Sequence, residues 1–294
     1  DIGGQLIKPM EYETEDGSRF SLQELWEDDE GRPRSGCMTS VTAVVEGKAY
    51  VGLIEKDMGS VEDEEVLSCL RLVPPQCIYP PYSDQFMQAP PFDPDIYYLK
   101  APSFTYADCK PGTTFVADCF LREVVVLELL KTNPHPHLVS YIGCVVGDGR
   151  ITQLCLQRYR CTLYEYMREY EGDIPKEECY KILDGIESGL AHIHALGLAH
   201  NDINPDNVCI DDLGEAIIVD FDSCLPFDEI LQKGSGALHS ANEIMPISRP
   251  ENDLQRLDEI AEMLLGRPAK LTVENEDLQS AELPQSTTET HDSS

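Results

Sequence analysis

The pattern of apolar and polar positions divides the chain into a few strongly marked elements. Residues 115–131 read "FVADCFLREVVVLELLK". Phe120, Leu127 and Leu130 recur there at helical spacing, on a face that also carries Glu123, and predict a helix. Residues 175–197 predict a second long helix, opened by Pro175 and closed by Gly197. A short third helix is expected over 251–265, "ENDLQRLDEIAEMLL". Strand signals lie between and before these helices. "CMTSVTAVVEGKAYVGLIE" reads as a hairpin turning at Glu46-Gly47, and "IYYLKAP" as a strand that ends at a proline. "HLVSYIGCVVGDGRITQLCLQRY" reads as strand, Gly-Asp-Gly turn, strand. Two short apolar runs inside "LAHNDINPDNVCIDDLGEAIIVDFDS" predict a small hairpin, followed by a loop over 224–250.

The remaining segments carry weaker signals. Residues 1–36 are acidic and polar and are expected to be mobile or only locally ordered. Residues 37–95 form an N-terminal extension: the hairpin, then a Pro-rich stretch, "LVPPQCIYPPYSDQFMQAPPFDPD", read as an extended connector that is neither helix nor good strand. From 267 to 294 the chain is polar, acidic and rich in Ser and Thr, and a disordered tail is expected.

Composition narrows the function classes. The 294 residues are 41% hydrophobic, enough for a real core. With 54 acids against 22 bases the net charge is −32. Binding to nucleic acid or to anionic lipid is not expected, because both need clustered Lys and Arg. No apolar run reaches the roughly 18–20 residues that cross a bilayer, and no signal-peptide pattern opens the chain. Eleven cysteines are scattered without a C-x-x-C pair, several within apolar runs. That suits buried free thiols in a reducing compartment, so an intracellular, cytoplasmic protein is expected.

The candidate chemistry is concentrated around the small hairpin. Asp202, Asn207 and Asp220 fall on the loops at its ends. A carboxylate and an amide oxygen there can hold a hard, oxygen-seeking cation. A second carboxylate can orient or deprotonate a hydroxyl. An isolated D-x-x-x-x-N is equally well an Asx turn. His200 before Asp202, and a strand running straight into Asp220-Phe221, favour the chemical reading. His192 and His194 have no partners at metal spacing and read as core or surface residues.

"HNDINPDNV" followed by "VDFDS" resembles the catalytic loop and metal-binding loop of eukaryotic-type protein kinases, H-R-D-L-x-x-x-N and D-F-G. Other stretches resemble kinase motifs in the same order across residues 96–265. Their wording ("GCVVGDGRIT", "HNDINP", "VDFDSC", "END") is most similar to short kinases of filamentous fungi. The resemblance implies an α+β, bilobal fold, with a β-rich N-lobe and hinge over 96–159 and a helical C-lobe over 160–266, shortened after its last helix. It implies ATP and Mg²⁺ as cofactors and a protein as substrate or partner. Lys100 would contact the nucleotide phosphates, with Glu123 as its helix partner. Gln157 and Tyr159 would lie at the hinge that meets adenine. Asp202 would be the catalytic base, and Asn207 and Asp220 the metal ligands. Leu127, Tyr141, His200 and Phe221 would stack into a column resting on Asp253. Ala241-Asn242-Glu243 stands where Ala-Pro-Glu closes the activation segment.

The departures from the pattern are specific. No G-x-G-x-x-G precedes Lys100. Asn201 replaces the arginine that reads a loop phosphate, so switching by loop phosphorylation is not expected. Asn204 replaces the catalytic-loop lysine, and Asp222 the glycine of D-F-G. Three readings follow: a kinase acting on Ser or Thr rather than Tyr hydroxyls, a small-molecule kinase like those for aminoglycosides or choline, and a pseudokinase that binds or scaffolds.

Overall fold

Alternating side chains build the first sheet. The computed structural model describes residues 10–14, 17–27, 33–91, 93, 96–110, 112–170, 174–231 and 247–266. Strands β1 (Met10–Glu13), β2 (Arg19–Glu27), β3 (Pro33–Val45) and β4 (Lys48–Ile54), helix α1 (Asp63–Cys69) and strand β5 (Arg71–Leu72) come first. The five strands pair antiparallel in chain order. The β3–β4 turn is the expected one, with Glu46 at φ 48° and Gly47 at φ 74°. Two positive φ values in succession suit the twist of a tight hairpin. Phe20, Leu22, Val41, Ala43 and Ile54 form one buried face, closed by Val66 of α1. Strands β1 and β2 lie where the sequence predicted little order. The inward pair Phe20 and Leu22 is the pattern that the surrounding charge obscures.

The Pro-rich stretch is not wholly extended. Helix α2 (Pro75–Ile78) makes one turn of it. Pro75 occupies the first helical position, where the missing N–H has no intrahelical role. The chain then runs along the second sheet, which consists of β6 (Tyr97–Lys100), β7 (Tyr141–Gly147) and β8 (Arg150–Gln157) in the order β6-β8-β7. Ile151 N–H donates to Pro80 O and Tyr82 N–H to Gly149 O, both at 2.9 Å. Cys144 N–H donates to Met87 O at 2.7 Å, and Ala89 N–H to Cys144 O at 2.8 Å. The connector therefore pairs with the start of β8 at residues 80–82 and with β7 at residues 87–89. Helix α3 (Phe115–Thr132) buries Phe120, Glu123, Val124, Leu127 and Leu130, as its periodicity predicts.

The second half is mainly helical. Strand β9 (Cys161–Thr162) leads into α4 (Leu163–Glu169), whose start is set by a Thr162–Glu165 capping box. Helix α5 (Lys176–Ala195) follows and is succeeded by Gly197 at φ 78°. Strands β10 (Leu198–Ala199), β11 (Val208–Ile210), β12 (Ala216–Ile218) and β13 (Leu225–Pro226) carry the chain to α6 (Pro250–Leu265), capped by left-handed Gly266. β11 and β12 are the expected hairpin, with β9 alongside, while β10 pairs with β13. A single buried cluster joins Leu127 and Leu154 of the sheet half to Ile186, Ile193, Val208, Ile218, Leu257 and Ile260. The architecture is α+β and two-lobed. The shared core means that the groups at the junction are held from both sides.

Gly143 permits the connector's close approach. A Cβ there would stand 2.7 Å from Ala89 N, 2.8 Å from Gln88 C and 2.9 Å from Met87 O, all backbone atoms. Gly143→Ala is expected to destabilise the protein by ~1–3 kcal/mol through this overlap. The urea midpoint measures it, and an unchanged midpoint would contradict the packing.

Candidate active site

Each charged residue of the site is placed by a different element. Lys100 ends β6, where it pairs in register with Leu154. Its ammonium Nζ donates to Glu123 Oε1 at 2.6 Å and to Asp220 Oδ1 at 2.7 Å. Glu123 sits on the inner face of α3 and is 2% exposed. Asp220 follows β12 and takes φ 63°, a left-handed conformation that Asp tolerates better than most residues. Val219 N–H donates to Asn207 O at 3.0 Å, so the two ends of the β11–β12 hairpin are tied together.

Burial and charge compete at these groups. Burial acts against the Lys100 ammonium, but the carboxylates of Glu123, Asp220 and Asp222 outweigh it and hold its pKa above the ordinary lysine value. Burial pushes Glu123 up to about 7, against the pull of Lys100. Burial also tends to raise Asp220, yet the Lys100 charge and hydrogen bond leave it below the usual carboxylate range. Asp222 makes no direct bond to Lys100. Burial and the Asp220 charge raise it, Asp202 adds to the effect, and the Lys100 charge and a hydrogen bond from Ser223 only partly offset these.

Asp202 and Asn207 are joined directly. Asn207 Nδ2 donates to Asp202 Oδ2 at 2.9 Å and to Asp202 O at 2.8 Å. Both amide hydrogens are engaged, which leaves Oδ1 as an acceptor. Asn204 is a turn residue. Its Oδ1 accepts from the N–H groups of Asp206 (2.9 Å) and Asn207 (3.1 Å). A cleft of about 440 Å³ opens beside Asp202 and Asp222, walled by Phe115, Arg122, Leu225 and Ile230.

The four residues expected to form a column, Leu127, Tyr141, His200 and Phe221, are all buried, at most 5% exposed. His200 and Phe221 meet edge to face at 5.0 Å. Asp253, fully buried, accepts from His200 N–H at 2.9 Å and Asn201 N–H at 2.6 Å, and bonds His194 Nε2 at 2.8 Å. His200 Nε2 faces Val219 O at 3.0 Å, which places the ring proton there. Gln157 and Tyr159 lie where β8 leaves the sheet, and their hydrogen bonds run to Ser140. Gln157 N–H donates to Ser140 O at 2.9 Å, and the Tyr159 hydroxyl accepts from Ser140 N–H at 3.1 Å. Ala241-Asn242-Glu243 lies outside the described residues.

The structure thus brings Lys100, Glu123 and Asp220 into one ion-paired group, and joins Asp202 to Asn207 by hydrogen bonds. The sequence paired Lys100 with Glu123 alone. Its contact with Asp220 joins positions 120 apart and leaves no local trace. The pairing of Ser248 and Asn252 with Asn201 was also missed, since neither position carries a motif.

Residues 108–235 match the model of the protein kinase domain. The chain is 30% identical over 115 residues to human serine/threonine-protein kinase/endoribonuclease IRE2, covering 36% of this chain and 12% of that protein. It is 32% identical over 91 residues to sporulation protein kinase mde3 of Schizosaccharomyces pombe, covering 31% and 16%. With serine/threonine-protein kinase ppk6 of the same yeast it is 26% identical over 179 residues, covering 53% and 23%. The chain spans less than a quarter of the length of these relatives. It carries a protein-kinase-like domain with the two-lobed fold described above. Lys100 precedes the matched span, so its place in the site rests on the geometry. Among the described residues no helix is long and apolar enough to cross a membrane.

Replacing Lys100 by Met leaves Glu123 buried without its cation, a loss of roughly 3 kcal/mol. Its pH dependence follows from Glu123. A folded pKa of about 7, above the unfolded 4.5, stabilises the fold below pH 4.5, and this contribution fades as pH rises through 7. Without Lys100 the folded pKa rises further. The deficit of Lys100→Met should therefore contain a part from the lost Asp220 contact already present at pH 5, and a Glu123 part that grows through pH 7–8 in urea melts. A deficit constant from pH 5 to 8 would refute the pairing.

Proposed function

We propose that this chain is a phosphotransferase that moves the γ-phosphate of ATP to a Ser- or Thr-type hydroxyl of a protein. The observation that carries the reading is Lys100, bonded at once to Glu123 and Asp220 from separate elements. A buried cation held by two carboxylates is pre-positioned for phosphate oxygens. The serine/threonine designation of two of the relatives supports the acceptor type.

The residues fit the cofactors. Asp220 stays ionised, with Oδ1 on Lys100 and the Asp222 N–H also donating to its carboxylate, so lone pairs remain for a metal. Asn207 offers its amide oxygen. Two oxygen donors suit Mg²⁺, which retains several waters. ATP supplies the phosphoryl group, and Mg²⁺ offsets the charge on its oxygens. Lys100 binds the α- and β-phosphates, and Gln157 and Tyr159 flank the base. Asp202 would orient the acceptor hydroxyl and take its proton on the carboxylate as the new O–P bond forms and the bond from the γ-phosphorus to the β,γ-bridging oxygen breaks, with ADP as the leaving group. Its hydrogen bond from Asn207 fixes the carboxylate relative to the metal ligand.

Two observations set the expected pace. Asn204 spends its amide on the turn, so no lysine charge stands at that position. By analogy with a lost oxyanion donor this raises the barrier by ~2–4 kcal/mol. The stretch before Lys100 is Pro-rich and holds no G-x-G-x-x-G, which favours a nucleotide-binding scaffold as the second reading.

ATP with Mg²⁺ should raise the melting temperature, and Asp202→Ala should preserve that shift while abolishing labelling of a Ser/Thr protein substrate. A shift without transfer moves the assignment to the scaffold. Transfer to a small aminoalcohol but to no protein moves it to a small-molecule kinase. No shift at millimolar ATP overturns the reading.

A further inference from the structure

We propose that Asn201 is a positioning residue whose side-chain amide clamps both ends of the segment from Asp222 to Ser248 onto the loop carrying Asp202. Its Nδ2 shares two hydrogens among three acceptors, Ala199 O at 2.9 Å, Ser223 O at 3.1 Å and Ser248 Oγ at 3.0 Å. Its Oδ1 accepts from Asn252 Nδ2 at 3.0 Å, and Asn252 also donates to Ile247 O at 2.9 Å. Ser248 is fully buried, and its hydroxyl donates to Leu225 O at 3.0 Å. Four stretches of chain meet at this one amide: the Asp202 loop, residues 223–225, residues 247–248 and the first turn of α6.

Backbone bonds close the segment's ends on each other. Asp228 N–H donates to Ser248 O at 2.9 Å, and Ser248 N–H to Glu229 O at 2.8 Å. The Asn201 amide then fixes the closed pair to the loop. The residue type is dictated twice over. With φ 66° the backbone is left-handed, which glycine, asparagine and aspartate take most readily. Glycine has no amide and aspartate no donors, so only asparagine meets both demands. Every member of the clamp is uncharged, so it assembles without a bound ion.

The consequence for catalysis rests on the reading of Asp202 as the group that orients the acceptor. Asp222, Leu225, Ile230 and Leu231 line the cleft beside Asp202. The clamp holds that wall in place and leaves the Lys100–Glu123 pair untouched.

Asn201→Gly keeps the left-handed backbone without strain and deletes the amide. In the full chain, amide hydrogen exchange over 223–231 should accelerate by at least about 10-fold in this variant, with β6 and α3 unchanged. Asn201→Asp should show the same acceleration, and Ser248→Ala a smaller one. In the phosphotransfer assay KM for the acceptor should rise while the thermal shift with ATP and Mg²⁺ stays as in the wild type. If Asn201→Gly does not fold, Ser248→Ala decides the matter. Unchanged exchange over 223–231 in the folded variants overturns the clamp. An unchanged acceptor KM overturns its positioning role. A wild type that transfers no phosphate defeats the functional reading alone, because the exchange data still decide the clamp.

Discussion

The Lys100 ammonium is the constraint on which the two halves of the site depend. A lone buried ammonium would shed its proton, because desolvation penalises the charge. Here it is 2.6 Å from Glu123 and 2.7 Å from Asp220. One contact reaches α3 and the other the end of the β11–β12 hairpin, so a single cation fixes a sheet, a helix and a loop relative to each other. Neither carboxylate could sit there alone. Glu123 is buried enough to approach neutrality, and Asp220 carries a left-handed backbone. The ion pair offsets both penalties, which explains why three strained or desolvated groups persist together.

Asp253 does the equivalent work from below. It is a buried carboxylate satisfied by two backbone N–H groups and His194. The N–H groups belong to His200 and Asn201, so α6 sets the height and tilt of the loop that presents Asp202. Lys100 fixes the upper half of the site and Asp253 the lower. The packed ring of His200 on Phe221 links them, since Phe221 directly follows Asp220. The α6 contact and Asp220 are thus joined by one run of packed groups.

Most elements were legible because their signals are local. The β3–β4 turn, the 115–131 helix periodicity and the D-x-x-x-x-N loop each lie within one stretch of chain. What was illegible depends on distant partners. Strands β1 and β2 were hidden because their two inward residues are outnumbered by charge. The α2 turn was missed because prolines were read as helix breakers, although the first helical position accepts them. The Lys100–Asp220 contact and the Asn201 network join residues that no spacing rule relates. Gln157 and Tyr159 follow from the motif order, but their bonds to Ser140 do not.

The substitutions in the catalytic loop then acquire a common physical sense. At 201 and 204, positions where the resemblance calls for Arg and Lys, the chain has asparagines. Both amides satisfy loop backbone groups, Asn204 through an Asx turn and Asn201 through the contacts around Ser223 and Ser248. The cationic positions have been converted from reading anions to bracing the loop. Asp222 adds a carboxylate beside Asp220 at the same time, so the local field is more negative by three charges than the kinase pattern would make it. Lys100 is left as the cation bonded directly to the site's carboxylates. A site of that balance favours ligands that bring positive charge with them.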